Sequence, residues 1–357
     1  MIGGPSVQRR PCAAGPPASP PRRPSDASGR DRSGESVVDE GISRIAVVGA
    51  GLSGVIAARD LAAAGRRVHI VEKSRGAGGR MATRRNPEGL AFDHGAQYFR
   101  PHGPAFAAEV AAWIAAGLAA PWSGNGRVVG TPTMNAPVRA LAGGLPLSVG
   151  ATVSAIEGAP GRRELALAEG GRLGPFAAVL VTAPAPQAAA LLEPVAPGLA
   201  AAAAGARYAP CLALMLAYAP EALAREPLPA DRPDHPTIAW IAEDGTKPGR
   251  ADGAPRRIVV HATPGWSRAH LEETRDSIAQ ALLAEAAPLL GATAAPLHMA
   301  AQRWRYALVE EPLGRDCLWD PAAGLGAAGD WCIGGRVEAA YDSGRALARA
   351  VLEETSA

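Results

Sequence analysis

The tightest constraint in this chain is the run Arg44-Ile45-Ala46-Val47-Val48-Gly49-Ala50-Gly51-Leu52-Ser53-Gly54, followed by an acid at Glu72 and by Gly78-Gly79-Arg80. It reads as a strand, a glycine turn, a helix and a second strand ending in a carboxylate. Ile45 to Val48 form a continuous apolar run, as a parallel strand buried on both faces requires. Gly49 permits the tight turn, Gly51 lets the backbone approach a pyrophosphate, and Gly54 lets the helix pack close to the sheet. Leu52 and Ser53 start the helix, whose free N–H groups and positive dipole end face the phosphates. With 42 glycines in the chain, the spacing alone is weak; its context makes it specific. Residues 53–64 are helix-prone and Gly65 fits a helix stop. Val68-His69-Ile70-Val71 gives the second strand, and Glu72 stands where a carboxylate meets the adenosine ribose hydroxyls.

Lys73 and Arg75 follow, and then Gly79, Arg80 and Met81. A second glycine cluster flanked by arginines suggests a second contact with one extended cofactor, the arginines neutralising its pyrophosphate. The far end of the chain supplies a complement. Ala327-Ala328-Gly329-Asp330 reads as a strand ending in Gly-Asp, and Gly334-Gly335-Arg336-Val337 as a glycine turn opening a small-residue helix. Asp330 is placed to accept from a ribityl hydroxyl. The helix start near Val337 is placed to face the flavin pyrimidine ring. A cofactor touched by both ends of the chain points to non-covalent FAD rather than NAD. Cys332 beside this corner reads as a buried neutral thiol, not a flavin linkage.

Several segments together resemble the renalase-type branch of the flavin amine oxidase superfamily: Arg75 to Met81, Phe92-Asp93-His94-Gly95-Ala96-Gln97-Tyr98-Phe99, Lys247-Pro248-Gly249-Arg250, Val260-His261-Ala262-Thr263-Pro264, Arg303-Trp304-Arg305-Tyr306-Ala307 and the Gly-Asp-Trp…Gly-Gly-Arg-Val-Glu tail. The resemblance covers about residues 44–353. Ala339 departs from it, standing where the superfamily often has glycine. It implies an FAD oxidase that moves a hydride from the 1,2- and 1,6-dihydro isomers of NAD(P) to flavin N5, with dioxygen reoxidising the flavin to give hydrogen peroxide. It also implies adenine contacts at Val153 and cofactor contacts at Gln97, Ala183 and Arg336. An oxidase of small amines is the first alternative, and a flavin-binding redox module without turnover is another.

The fold class implied is α/β: a discontinuous Rossmann-like FAD-binding domain (44–100, 135–185 and 313–357) and an α+β substrate domain on an antiparallel sheet (101–134 and 186–312). Candidate strands at 211–218, 237–242 and 257–262 build that sheet. Gln97 and Tyr98 should sit near the flavin face. Trp240, His261, Trp304 and Tyr306 offer flat surfaces or hydrogen bonds to a nicotinamide, and Arg305 a phosphate contact. Trp240 and Tyr306 read equally well as core. His261 reads as a structural histidine before a base, and Lys247 as a surface residue.

Residues 1–43, rich in Pro, Gly, Ser and Arg without periodicity, read as a disordered extension with an upstream translation start. No apolar core follows Arg9-Arg10 or Arg22-Arg23, so a secretory signal fails. A net charge of +2 and scattered arginines argue against nucleic acid as a partner. No apolar run suggests a membrane partner. Four cysteines without metal or disulfide spacing predict no metal site and a cytoplasmic, reduced protein.

Overall fold

The computed structural model describes residues 44–224, 230–231, 234–250 and 255–354; the expected disordered extension over 1–43 lies outside them. The apolar run opening the motif forms the strand Arg44–Val48 in the middle of a six-stranded sheet. In spatial order the sheet runs Leu318–Asp320, Leu325–Ala327, Ala178–Val181, Arg44–Val48, Arg67–Glu72 and Leu147–Val149. Its pairings are parallel except that of Leu318–Asp320 with Leu325–Ala327. Strands distant in sequence therefore meet in one layer. Val47, Val179, Leu180 and Val181 are fully buried, as expected for strands covered on both faces.

The helix Leu52–Ala63 follows the glycine turn. Gly49 has φ +110°, and a Cβ on Gly54 would lie 2.1 Å from the Gly49 carbonyl oxygen. The turn can therefore press on the helix only if Gly54 has no side chain. The last helix, Val337–Glu354, packs beside this first one.

A second sheet is antiparallel, in the order Ala230–Asp231, Ile238–Glu243, Arg256–Ala262, Arg207–Tyr218 and His298–Glu311. Strand alternation divides its residues between two faces. Leu212, Leu214, Leu216, Ile258 and Val260 pack against Ile278, Leu282 and Ala286 of the helix Arg275–Leu290. Each fully buried Leu or Ile there contributes about 1.5–3 kcal/mol. The opposite face carries Ala213, Met215, Ala217 and Val259, the last three packed on Phe92. The expected strands and the expected antiparallel sheet are present with shifted ends; the Ala-rich stretch 186–206 is two helices, Ala185–Leu192 and Pro197–Ala203.

Candidate functional site

The glycine corner is built from backbone. Glu72 is buried at the end of its strand; one carboxylate oxygen accepts from the Ala50 N–H at 2.7 Å, the other from the Ser74 N–H at 2.7 Å. The Gly78 N–H donates to the Ala50 carbonyl at 2.9 Å, drawing the second glycine cluster onto the first. Gly79 has φ +55°, and a Cβ there would meet the Gly51 Cα at 3.0 Å. Gly51 and Gly79 thus lie against each other with no side chain between them. Ser53 Oγ is buried under this turn without a hydrogen-bond partner. Lys73 is exposed and donates to Gln187 Oε1 at 3.3 Å, and Arg75 is exposed. Side-chain-free backbone, an unpartnered hydroxyl at a helix start and nearby cations fit the phosphates of a dinucleotide.

Arg80 turns away from this corner. Its guanidinium donates to both carboxylate oxygens of Asp330 (2.8 and 2.5 Å) and to the Ala307 carbonyl (3.1 Å), and stands 5.9 Å over the Tyr208 ring. Burial works against its charge, but Asp330 outweighs it and raises the guanidinium further. Met81 beside it is core. Asp330 does not end a strand, as the sequence suggested. The strand stops at Ala327, and Asp330 opens the short helix Asp330–Ile333. The Gly329 N–H is held by Ser343 Oγ at 3.0 Å, and Trp331 Nε1 donates to the Ala183 carbonyl at 3.1 Å. Arg336 is exposed and Val337 begins the last helix. The next residue, Glu338, accepts from the His102 N–H and Nδ1 and from the Gly103 N–H. Val153 is partly buried in a three-stranded sheet, opposite Leu167. Burial pushes the Cys332 thiol up to about 12, so it is neutral. Ala339 is fully buried in the first turn of the last helix.

Register defines a second surface. Trp240 pairs with His261, His261 with Ala213, and Ala213 with Gln302. These four residues form one row across the second sheet on the face opposite Leu212 and Leu214. The segment His94–Tyr98 lies on this row. His94 stands 5.0 Å from the Trp304 ring, Gln97 Nε2 is 3.4 Å from His261 Nε2, and the Tyr98 ring is 5.6 Å from Trp240. Trp304 Nε1 donates to the His94 carbonyl at 2.9 Å, and the Ala96 N–H to the Arg80 carbonyl at 2.9 Å. The segment thus bridges the glycine corner and the sheet. Burial lowers both imidazoles to about 4, with Arg84 also lowering His94. Both are uncharged at neutral pH.

Behind this segment lies a buried charge cluster. Lys247, read from sequence as a surface residue, is 2% exposed. Its ammonium lies 2.5 Å from Asp244, 3.4 Å from Asp93 and 3.3 Å from Gln97 Oε1. Asp93 also pairs with Arg250 and accepts from Thr83 Oγ1 (2.5 Å) and the Met134 N–H (3.0 Å). Burial alone would raise the Asp93 carboxyl; Lys247, Arg250 and these hydrogen bonds hold it down at about 2.

Of the pocket candidates, Gln97, Tyr98, Trp240, His261 and Trp304 come together. Tyr306 is displaced along its strand, its ring 5.7 Å from Tyr208. Arg305 alternates to the other side of the strand, is exposed, and pairs with Glu272 at 2.7 Å. The sequence reading missed Asp93, Asp244, Tyr208 and Gln302. A carboxylate at i and a lysine at i+3 around Lys247 was the one available sign of the cluster. Among the described residues no His/Cys/Asp/Glu group suits a metal ion, and no helix is long and apolar enough to cross a membrane.

Residues 47–112 match the family model for an NAD(P)-binding Rossmann-like domain, and residues 111–352 that for flavin containing amine oxidoreductase. The fold is similar to a candidate protoporphyrinogen oxidase from Exiguobacterium sp. 255-15, with TM-score 0.70, 13% identity, and 87% of this chain and 99% of that one covered. It is also similar to cyclohexylamine oxidase from Brevibacterium oxydans IH-35A, with TM-score 0.64, 14% identity, and 88% and 100% covered.

Proposed function

Starting from the chain's membership of the flavin containing amine oxidoreductase family, with FAD as its cofactor, we propose that it oxidises the 1,2- and 1,6-dihydro isomers of NAD(P) to NAD(P)+, with dioxygen as acceptor. When bound, FAD supplies the two-electron chemistry. The observation that carries the substrate reading is that this row offers no charged base, the nearby cation Arg127 lying over the Tyr98 and Trp240 rings at 4.7 and 5.1 Å. Trp240, Ala213, Gln302 and Gln97 carry no ionisable group, and His261 in the row and His94 against it are neutral at pH 7. A dihydronicotinamide that loses a hydride becomes an aromatic cation and needs no base. In this reading the flat rings of Trp240 and Trp304 orient it, and the amides of Gln97 and Gln302 meet its carboxamide.

The division into a cofactor part (44–100, 135–185 and 313–357) and a substrate part (101–134 and 186–312) belongs to this proposal. So do the cofactor contacts named at the glycine corner. Asp330 would have to share its carboxylate between Arg80 and a ribityl hydroxyl. Glu72→Ala is expected to weaken FAD retention by about 1.5–3 kcal/mol, the worth of charge-assisted hydrogen bonds. Flavin content after dialysis at low FAD checks it.

The edge-to-face pair Tyr208 and Tyr306 favours a second reading, oxidation of small amines between aromatic rings. Anaerobic stopped-flow absorbance separates the two. The flavin-loaded protein is mixed in turn with each dihydro isomer, with ordinary 1,4-NAD(P)H and with a panel of amines. Fast bleaching by the isomers alone is the expected result. Bleaching by an amine alone moves the assignment to amine oxidation, and bleaching by nothing leaves a flavin-binding module.

A further inference from the structure

We infer that Arg84 is the anion-binding residue of the substrate site and that its guanidinium receives a phosphate of the dinucleotide, the part expected of Arg305. The identity of the ligand rests on the dihydronicotinamide reading above; the placement of the cation does not. Arg84 is paired directly with Phe92 in the hairpin Arg84–Arg85 and Ala91–Phe92, and directly opposed residues send their side chains to one face. Phe92 is buried on that face, packed on Met215, Ala217 and Val259, with its ring 5.5 Å from that of His298. Arg84 is therefore carried to the sheet side, and its exposed neighbour Arg85 to the other. The Arg84 charge acts on both His94 and His298 and lowers each. These two rings mark the ends of one strip. His298, Ala300, Gln302 and Trp304 alternate onto the same face of the strand His298–Glu311, and all four are partly exposed, as is Arg84. His298 and Trp304 lie about 20 Å apart along the strand, and His94 stands against Trp304. A guanidinium felt by both histidines lies part-way between them.

No acid answers this charge: among the described residues no carboxylate pairs with Arg84. Asp93, next to Phe92, is held by Lys247 and Arg250. Glu88, exposed at the hairpin turn, acts on His298 instead. A half-buried guanidinium without a carboxylate keeps its planar fork of donors for another oxyanion, and a phosphate matches that fork. A dinucleotide laid along the strip sets its nicotinamide against Trp304 and a phosphate at Arg84. The experiment is isothermal titration calorimetry of the FAD-saturated protein with NAD+ and with nicotinamide riboside, which keeps the ring and lacks phosphate. NAD+ is expected to bind roughly tenfold tighter than the riboside or better, as charge-assisted phosphate contacts give. Arg84→Met brings NAD+ down toward the riboside's affinity and leaves the riboside unchanged. Arg84→Lys, which keeps the charge without the fork, falls between, and Arg85→Met changes neither ligand. NAD+ affinity unchanged in Arg84→Met, equal weakening of both ligands, or no binding of NAD+ by the parent overturns the inference. Failure of the dihydronicotinamide reading alone shows as NAD+ bound through Arg84 with no bleaching by either isomer in the stopped-flow assay.

Discussion

Asp93→Asn lowers the stability of the protein by about 3–5 kcal/mol, the cost of breaking a buried ion pair from one side. Asp93 is completely buried and faces two cations, Lys247 and Arg250. Removing its charge leaves both with the single carboxylate of Asp244. The amide also offers one acceptor oxygen where the carboxylate had two, for the Thr83 hydroxyl, the Met134 N–H and the two cations. At about 2–4 °C per kcal/mol for a chain of this size, the melting temperature falls on the order of 10 °C. Arg305→Ala is the internal control. Its pair with Glu272 is solvent-exposed, 44% and 72% by side chain, and exposed pairs contribute about 0–1 kcal/mol. Thermal melts of both variants at saturating FAD check the contrast. An Asp93→Asn melt within about 2 °C of the parent would mean that the cluster's charges do not depend on one another.

What could be read from sequence divides along the same physical line. The glycine corner was legible because its demands are local: a left-handed φ, a missing Cβ and an acid at fixed spacing all sit within one strand–helix–strand unit. The antiparallel sheet was legible through alternation. Arg305 was misread as a pocket residue, although Arg-Trp-Arg-Tyr in a strand must send the arginines and the aromatics to opposite sides. The Lys247 cluster was not legible. A Lys-Pro-Gly-Arg turn after a strand has the composition of a surface loop. It is buried because Asp93, more than 150 residues earlier, is brought onto it by the packing of Phe92 on the second sheet. Asp330 misled for a related reason. The strand before it is only three residues long, and what fixes the aspartate is Arg80, 250 positions away. Charges set by long-range partners leave no periodic trace.

The same burial makes the protein acid-sensitive through two of its histidines. His94 and His261 have their pKa values lowered to about 4, whereas an unfolded histidine titrates near 6.5. Between those values the unfolded chain binds protons that the folded chain refuses, so stability falls as pH falls. The contribution of each ring is complete above about pH 6.5 and lost as pH drops through about 4. A shift of this size is worth on the order of 3 kcal/mol per ring at 1.36 kcal/mol per unit, and somewhat less for His261, which is only partly enclosed. Asp93 adds nothing in this window. Held at about 2, it keeps its contribution above pH 4 and loses it only as pH falls toward 2. Two separate phases of acid destabilisation follow. Urea titrations at saturating FAD between pH 7.5 and 4.5 should show stability dropping by several kcal/mol, and His261→Gln should remove part of that slope. Stability constant across the interval would mean that the two rings take up protons without unfolding, and that the surface between the glycine corner and the second sheet is open to water.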